Sequence, residues 1–347
     1  MKQSCFALAV ALPAFTFTTL PSFAEPPKAA PEMQMVLDKL KSLEAKPVSQ
    51  LSVPEARMQA SPADAAKAVQ RDKKIPSKPE ADVLTKDIAI PTANGAIPAR
   101  IYTPKGDGPF PVVVYYHGGG WVIADINTYD ATPRGLALNA GAVVVSVDYR
   151  HAPESKFPAQ HEDAWNAYKW VVENAGSFNG NSEKIAVAGE SAGGNLAANV
   201  SLMAKEMKTV MPVHQLIVYP IASNDPSTPS KGEFKDTVPL STPDLDWFNG
   251  NVFASKDQTA DKRINLVGRD DLAGLPGTTI IAAELDPLRS ETEMLGDKLK
   301  QAGVQVNAKT FTGATHEFFG MAKVVPQAKE AMDLAVADLK AAFAKSK

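Results

Sequence analysis

The sequence predicts an α/β fold with a mostly parallel central sheet and helices on both of its faces. Three observations carry that expectation. Short β-branched and apolar runs recur at 112–116, 143–147, 185–188, 216–219 and 279–282, with a weaker one at 304–310. Near-continuous apolar runs of this length are how strands buried on both faces read. Helical patterns near 129–139, 160–175, 195–208 and 291–302 alternate with them, and a last one spans about 325–343. Finally, the run ending at Ala188 passes through Gly189-Glu190-Ser191-Ala192-Gly193-Gly194 directly into a helical pattern. A serine at such a corner needs a strained backbone and neighbours nearly without side chains two places either side, which Gly189 and Gly193 supply.

Taken from the start, Lys2, an apolar body over 5–20 and Ser22-Phe23-Ala24 read as an export signal over residues 1–24. Pro13 and Pro21 interrupt the apolar run, which argues against a membrane anchor. The mature chain is expected to begin at Glu25 and to be periplasmic or secreted, without stable membrane insertion. Cys5, the only cysteine, would leave with the signal, and with it any disulfide or thiolate chemistry.

Residues 25–79 are expected to form an N-terminal helical cap segment: helical spacing in Met33, Val36, Leu37, Leu40 and Leu43, then a looser stretch, then a second helix over 62–71 ended by Pro76 and Pro79. Residues 80–347 form the main domain. It opens on two alternating strands, 83–90 and 97–102, around the hairpin signal Asn94-Gly95. The stretch at about 222–271 breaks the alternation, is irregular, and carries Trp247, Phe248 and Phe253, so it reads as a cap insertion above the sheet.

Formal net charge is -3 and charged residues make up 22%, so no strong field favours nucleic acid or an anionic membrane surface. The expected partner is a small uncharged molecule; oligomeric state, including a homodimer, stays open. No G-x-x-x-x-G-K-[ST], H-E-x-x-H or paired cysteine occurs, so neither a phosphate loop, a metal nor another cofactor is expected.

What remains is nucleophilic catalysis. Ser191 with the Ala192 amide at a helix start suits attack on an acyl carbonyl, the competing reading being a plain serine N-cap. His117-Gly118-Gly119-Gly120 follows the 112–116 strand, and amides of Gly118 and Gly119 would add oxyanion donors to that of Ala192. Of five histidines, His117, His151, His161 and His214 read as structural or solvent-facing. His316, in a short loop 312–316 after the last strand, is the best base. Asp286, just past the 279–282 strand, is the acid candidate, with a helix-cap role not excluded; Glu284 and Glu317 rank below it. The order Ser191, Asp286, His316 is the one the α/β-hydrolase fold uses.

Together these residues resemble the hormone-sensitive-lipase-like branch of the α/β-hydrolases, bacterial esterase family IV. The resemblance runs from about Pro31 to the C-terminus and includes Asp148-Tyr149-Arg150-His151-Ala152-Pro153-Glu154 with Phe157-Pro158-Ala159, and Asp286-Pro287-Leu288-Arg289. It implies a serine carboxylesterase for short- to medium-chain esters, with Ser191, His316 and Asp286 as triad, Gly118, Gly119 and Ala192 as oxyanion hole, and a helical cap. A non-catalytic ligand binder on the same scaffold, or an amidase, are the alternatives. Three departures stand out: Glu190 where the family usually has Asp, Ser290 in place of a second Asp, and Glu317 in place of a glycine.

Overall fold

The computed structural model describes Met1 and residues 27–76, 82–93 and 95–346. The rest of the expected signal, Cys5 and the turn residue Asn94 lie outside the described residues. In chain order the elements are α1 (Pro31–Ser42), α2 (Val53–Met58), α3 (Pro62–Asp72), β1 (Val83–Thr92), β2 (Gly95–Pro104), β3 (Phe110–Tyr116), α4 (Ala131–Ala140), β4 (Val143–Val147), α5 (Ala159–Asn174), β5 (Gly180–Glu190), α6 (Ala192–Glu206) and β6 (His214–Val218). There follow α7 (Pro229–Glu233), α8 (Thr242–Val252), β7 (Gly277–Leu285), α9 (Arg289–Gln301), β8 (Val306–Thr315) and α10 (Pro326–Lys345).

The strands make one eight-stranded sheet in the order β1-β2-β4-β3-β5-β6-β7-β8, antiparallel at β1/β2 and β2/β4 and parallel from there on. Period-2 alternation divides the core. Val113 and Tyr115 of β3 face the layer of α4 and α10, while Val112, Val114 and Tyr116 face α5 and α6. All five residues of β4 are buried, as a strand covered on both faces requires.

Four elements differ from expectation. The looser stretch after α1 holds α2, whose six residues are too few to show a period; a capping box of Ser52 and Glu55 and the Arg57–Glu154 pair at 2.7 Å hold it instead. Leu43 falls past the end of α1 and is exposed. The 222–271 stretch is not irregular throughout, since it carries α7 and α8, the latter started by Ser241 and Asp244 in a capping box of its own. That same Asp244 accepts the Ser49 amide at 2.9 Å, and Trp247 Nε1 donates to the Leu51 carbonyl at 2.9 Å. The N-terminal segment and the insertion are thereby joined above the carboxyl ends of the central strands.

β8 also runs further than the sequence suggests. Residues 312–315 belong to the strand, with Thr315 paired to Leu285 of β7, so His316 is the first residue past a strand end rather than part of a loop. A strand-end position fixes its backbone more tightly than a loop would.

Candidate active site

β5 delivers Ser191 and α6 begins at the next residue, with the serine at φ 55° and ψ -117°. Such a conformation costs a residue with a Cβ on the order of 1–3 kcal/mol, so its surroundings must hold it. They do so through the Ser191 amide, which donates to the Val218 carbonyl at 2.9 Å, and through the Ser191 carbonyl, which accepts the Asn195 amide at 3.1 Å. Packing enforces the same corner. A Cβ on Gly189 would lie 2.0 Å from the Gly193 carbonyl oxygen, and one on Gly193 would lie 2.0 Å from that of Tyr116.

Ser191 Oγ is 2.9 Å from His316 Nε2, and His316 Nδ1 is 2.7 Å from Asp286 Oδ2. An ionised Asp286 can only accept, so the imidazole carries its proton on Nδ1 and presents Nε2 as acceptor to the serine hydroxyl. Asp286 is fully buried, and its other oxygen accepts the Leu288 amide at 2.8 Å in the turn before α9; the N-cap of that helix is Leu288, with no side-chain cap, so the helix-cap role left open for Asp286 is not filled. Burial opposes charging His316, yet the charge and hydrogen bond of Asp286, with Glu317 and Glu190 adding, outweigh it and raise its pKa above the ordinary 6.5. Glu284 does not reach the histidine: its carboxylate accepts the Gly313 amide at 2.7 Å.

The glycine loop lies alongside. Gly119 and Gly120 have φ of 93° and 58°, in the region that favours glycine, and a Cβ on Gly118 would meet the Tyr129 hydroxyl at 2.2 Å. Among the described residues the Gly118 and Gly119 amides donate to no protein acceptor, and the Ala192 amide is an orphan donor at the start of α6. Trp121 Nε1 donates to the Ala192 carbonyl at 3.1 Å and ties loop to helix.

Ser191, His316 and Glu317 open into a cavity of about 1150 Å³. Leu37 and Ala56 of the N-terminal segment and Phe248 and Ile264 of the insertion roof it. A Cβ on Gly120 would lie 2.2 Å from the Phe248 ring, so the third glycine makes room for the roof. The cavity also carries charged side chains, among them Asp38, Lys41, Lys231 and Asp246, and its size suits a small molecule whose apolar part meets Leu37, Phe248 and Ile264.

Tyrosines that sequence reasoning missed surround the two unusual carboxylates. Glu190 points away from the pocket, 1% exposed, and its oxygens accept from the Tyr115 and Tyr219 hydroxyls, each at 2.5 Å. Burial first, then the charge of Glu317, lifts the Glu190 pKa to about 7 against the pull of those hydrogen bonds. Glu317 instead lines the pocket, accepts the Tyr129 hydroxyl at 2.6 Å, and stands 3.9 Å from His316 Nε2. The Tyr219 ring packs 4.5 Å from the His316 ring, linking the two groups. No local spacing signals these tyrosines, because they come from β3, the 120s loop and the end of β6 and meet only at one end of the central strands. Two of the remaining histidines are structural: His161 Nε2 is 2.9 Å from Asn195 Oδ1 and His214 Nε2 is 2.8 Å from Thr279 Oγ1, with burial lowering both pKa values to about 4.

Residues 113–320, which span the strands, the serine corner and His316, match a family model described as the alpha/beta hydrolase fold. The chain belongs to the hormone-sensitive-lipase-like branch of the α/β-hydrolases. It is 40% identical to the carboxylesterase NlhH of Mycobacterium tuberculosis over 71% of this chain and 79% of that protein. Identity to a Pseudomonas putida protein named ethyl acetate hydrolase is 30%, over 84% of this chain and 90% of the relative. A solved esterase structure from Pyrobaculum calidifontis superposes with a TM-score of 0.80 at 35% identity, covering 90% of this chain and 98% of that one.

Proposed function

We propose that this carboxylic ester hydrolase works by two-step acyl transfer through Ser191, on short- to medium-chain esters. The observation that carries the reading is the unbroken chain from a buried Asp286 through His316 to a serine held at the cavity floor, with links of 2.7 and 2.9 Å. In the first step the Ser191 oxygen bonds to the ester carbonyl carbon and its proton passes to His316 Nε2. The carbonyl oxygen becomes an oxyanion that the amides of Gly118, Gly119 and Ala192 stabilise, while Asp286 steadies the new imidazolium. His316 then gives the proton to the leaving alcohol. Water, activated by the same histidine, releases the acid from the acyl-enzyme.

The acyl length is supported by the roof, since a long chain would need an open groove, and by the relative named for ethyl acetate. Export by the N-terminal signal is part of the same proposal. Ser191→Ala should lower kcat roughly 10⁶-fold with the fold intact, and a phosphonate ester should label Ser191 in the native protein. Retained turnover of a p-nitrophenyl ester by the variant would remove Ser191 from the mechanism. Matched ester and anilide substrates separate esterase from amidase, and a chain-length series locates the acyl preference.

A further inference from the structure

We propose that His117, Asp148 and His151 form a binding site for one divalent transition-metal ion of the zinc type, directly behind the glycine loop. The sheet makes the juxtaposition. β3 and β4 are parallel neighbours with Tyr116 opposite Val147, so the next residue of each, His117 and Asp148, leaves the sheet side by side. The chain after β4 then brings His151 back to them. One candidate donor atom from each of the three side chains lies within 4.8 Å of the others.

Each of the three side chains also carries an unpaired polar atom. His117 Nε2, Asp148 Oδ1 and His151 Nε2 are all buried and have no hydrogen-bond partner among the described residues. A buried polar atom left so is costly, on the order of 1–3 kcal/mol, and three on side chains of one cluster point to a shared partner. His117 itself is 0% exposed.

The protonation pattern says what kind of partner. His117 Nδ1 is 2.8 Å from the Gly118 carbonyl, which only accepts, so that nitrogen carries the ring proton. The Tyr149 hydroxyl, 3.4 Å from the same nitrogen, donates to the His117 carbonyl at 2.8 Å. In the neutral ring Nε2 is then the lone pair, set 3.6 Å from an Asp148 carboxylate oxygen that is also an acceptor. That separation is too long for a hydrogen bond, but donors about 2.1 Å from a tetrahedral centre stand about 3.4 Å apart. A ligating histidine that gives its other N–H to a backbone carbonyl is the usual outer-shell arrangement of a metal site. Two imidazoles and one carboxylate suit a zinc-type ion with a fourth position open to water.

The surroundings hold the ligands. Tyr149 stacks on His117 at 4.4 Å and meets His151 edge-on at 5.5 Å, fixing both rings. Asp148 and His151 are only partly buried, so the cluster lies close to the surface although the donor atoms themselves are covered. The nearby Arg57 is neutralised by a two-pronged pair with Glu154 at 2.7 and 2.8 Å. A bound ion would clamp the residue that precedes Gly118 to the end of β4, and so act on the glycine loop as a structural staple.

The test is direct binding to chelator-stripped full protein, by calorimetry with Zn²⁺ and by visible spectroscopy with Co²⁺. One equivalent should bind, with ligand-field bands of low-coordinate Co²⁺, and His151→Ala should abolish both signals while keeping native esterase activity in the absence of metal. His316→Gln should keep them, which separates this site from the Asp286–His316 pair. Zn²⁺ at a hundredfold excess over its Kd should raise the melting midpoint of the native protein by roughly 5 °C and leave His151→Ala unmoved. No binding to the native protein would overturn the proposal, as water or a proton would then satisfy the three atoms. Binding that survives in His151→Ala, or that His316→Gln removes, would overturn it equally.

Discussion

Glu317→Gln tests whether the carboxylate beside the base sets its working pH. Glu317 Oε1 stands 3.9 Å from His316 Nε2, on the side facing the serine, and its side chain is 21% exposed. Two unit charges at that distance interact by about 1 kcal/mol in water and about 4 kcal/mol at an effective dielectric of 20. Solvent contact and the Tyr129 hydroxyl place the pair toward the lower figure, and 1 kcal/mol is about 0.7 of a pH unit. The sign follows from which form is active. The base must be neutral, a nearby negative charge favours the imidazolium, and removing it lowers the His316 pKa. The ascending limb of kcat/KM against pH should therefore move roughly 0.5–1 unit toward acid in Glu317→Gln, with plateau activity within a fewfold of native. Profiles from pH 5 to 9 on a p-nitrophenyl ester would show this. An unmoved limb, or one displaced toward alkali, would mean the charge of Glu317 does not reach the imidazole.

Glu190→Gln addresses the buried acid. A carboxyl raised from 4.5 to about 7 holds a proton in the fold that the unfolded chain has released, so its contribution to stability is full below 4.5 and is lost as pH rises through about 7. The loss is on the order of 3 kcal/mol, and urea midpoints at pH 5 and 8 should diverge less in the variant than in the native protein; equal divergence would refute the raised pKa. Gly193→Ala places a Cβ 2.0 Å from the Tyr116 carbonyl oxygen and 2.4 Å from that of His117, neither of which can swing aside. Activity should fall by at least a hundredfold together with the melting temperature, and a native-like variant would show the corner to be looser than described. Asp286→Asn should cost roughly 10³- to 10⁴-fold in kcat, less than loss of the serine, because the residue orients and stabilises the histidine without touching substrate. If Glu284→Gln were the more damaging change in side-by-side assays, the acid would be misassigned.

Signals that lie within a few residues were legible in the sequence. The strand into Gly189-Glu190-Ser191-Ala192-Gly193, the triple glycine after β3 and the order of Ser191, Asp286 and His316 depend on local backbone demands that only certain residue types meet. Short apolar runs alternating with helical patterns likewise announced a covered parallel sheet, because burial on both faces leaves few polar positions, such as Ser146 in β4, to interrupt them. Distances between remote residues were not legible. Asp286 and Glu284 are two places apart and chemically alike, and the irregularity between Ala283 and Leu285 helps decide which reaches His316. Only the meeting of β3, β5 and β6 at one end of the sheet puts Glu190 inside a tyrosine cage and leaves Glu317, an equally acidic neighbour of the triad, facing the pocket. Residue type and short-range spacing determine what a segment can become; which side chains share a desolvated space is a property of the packed whole, and here that space settles the charge beside the base.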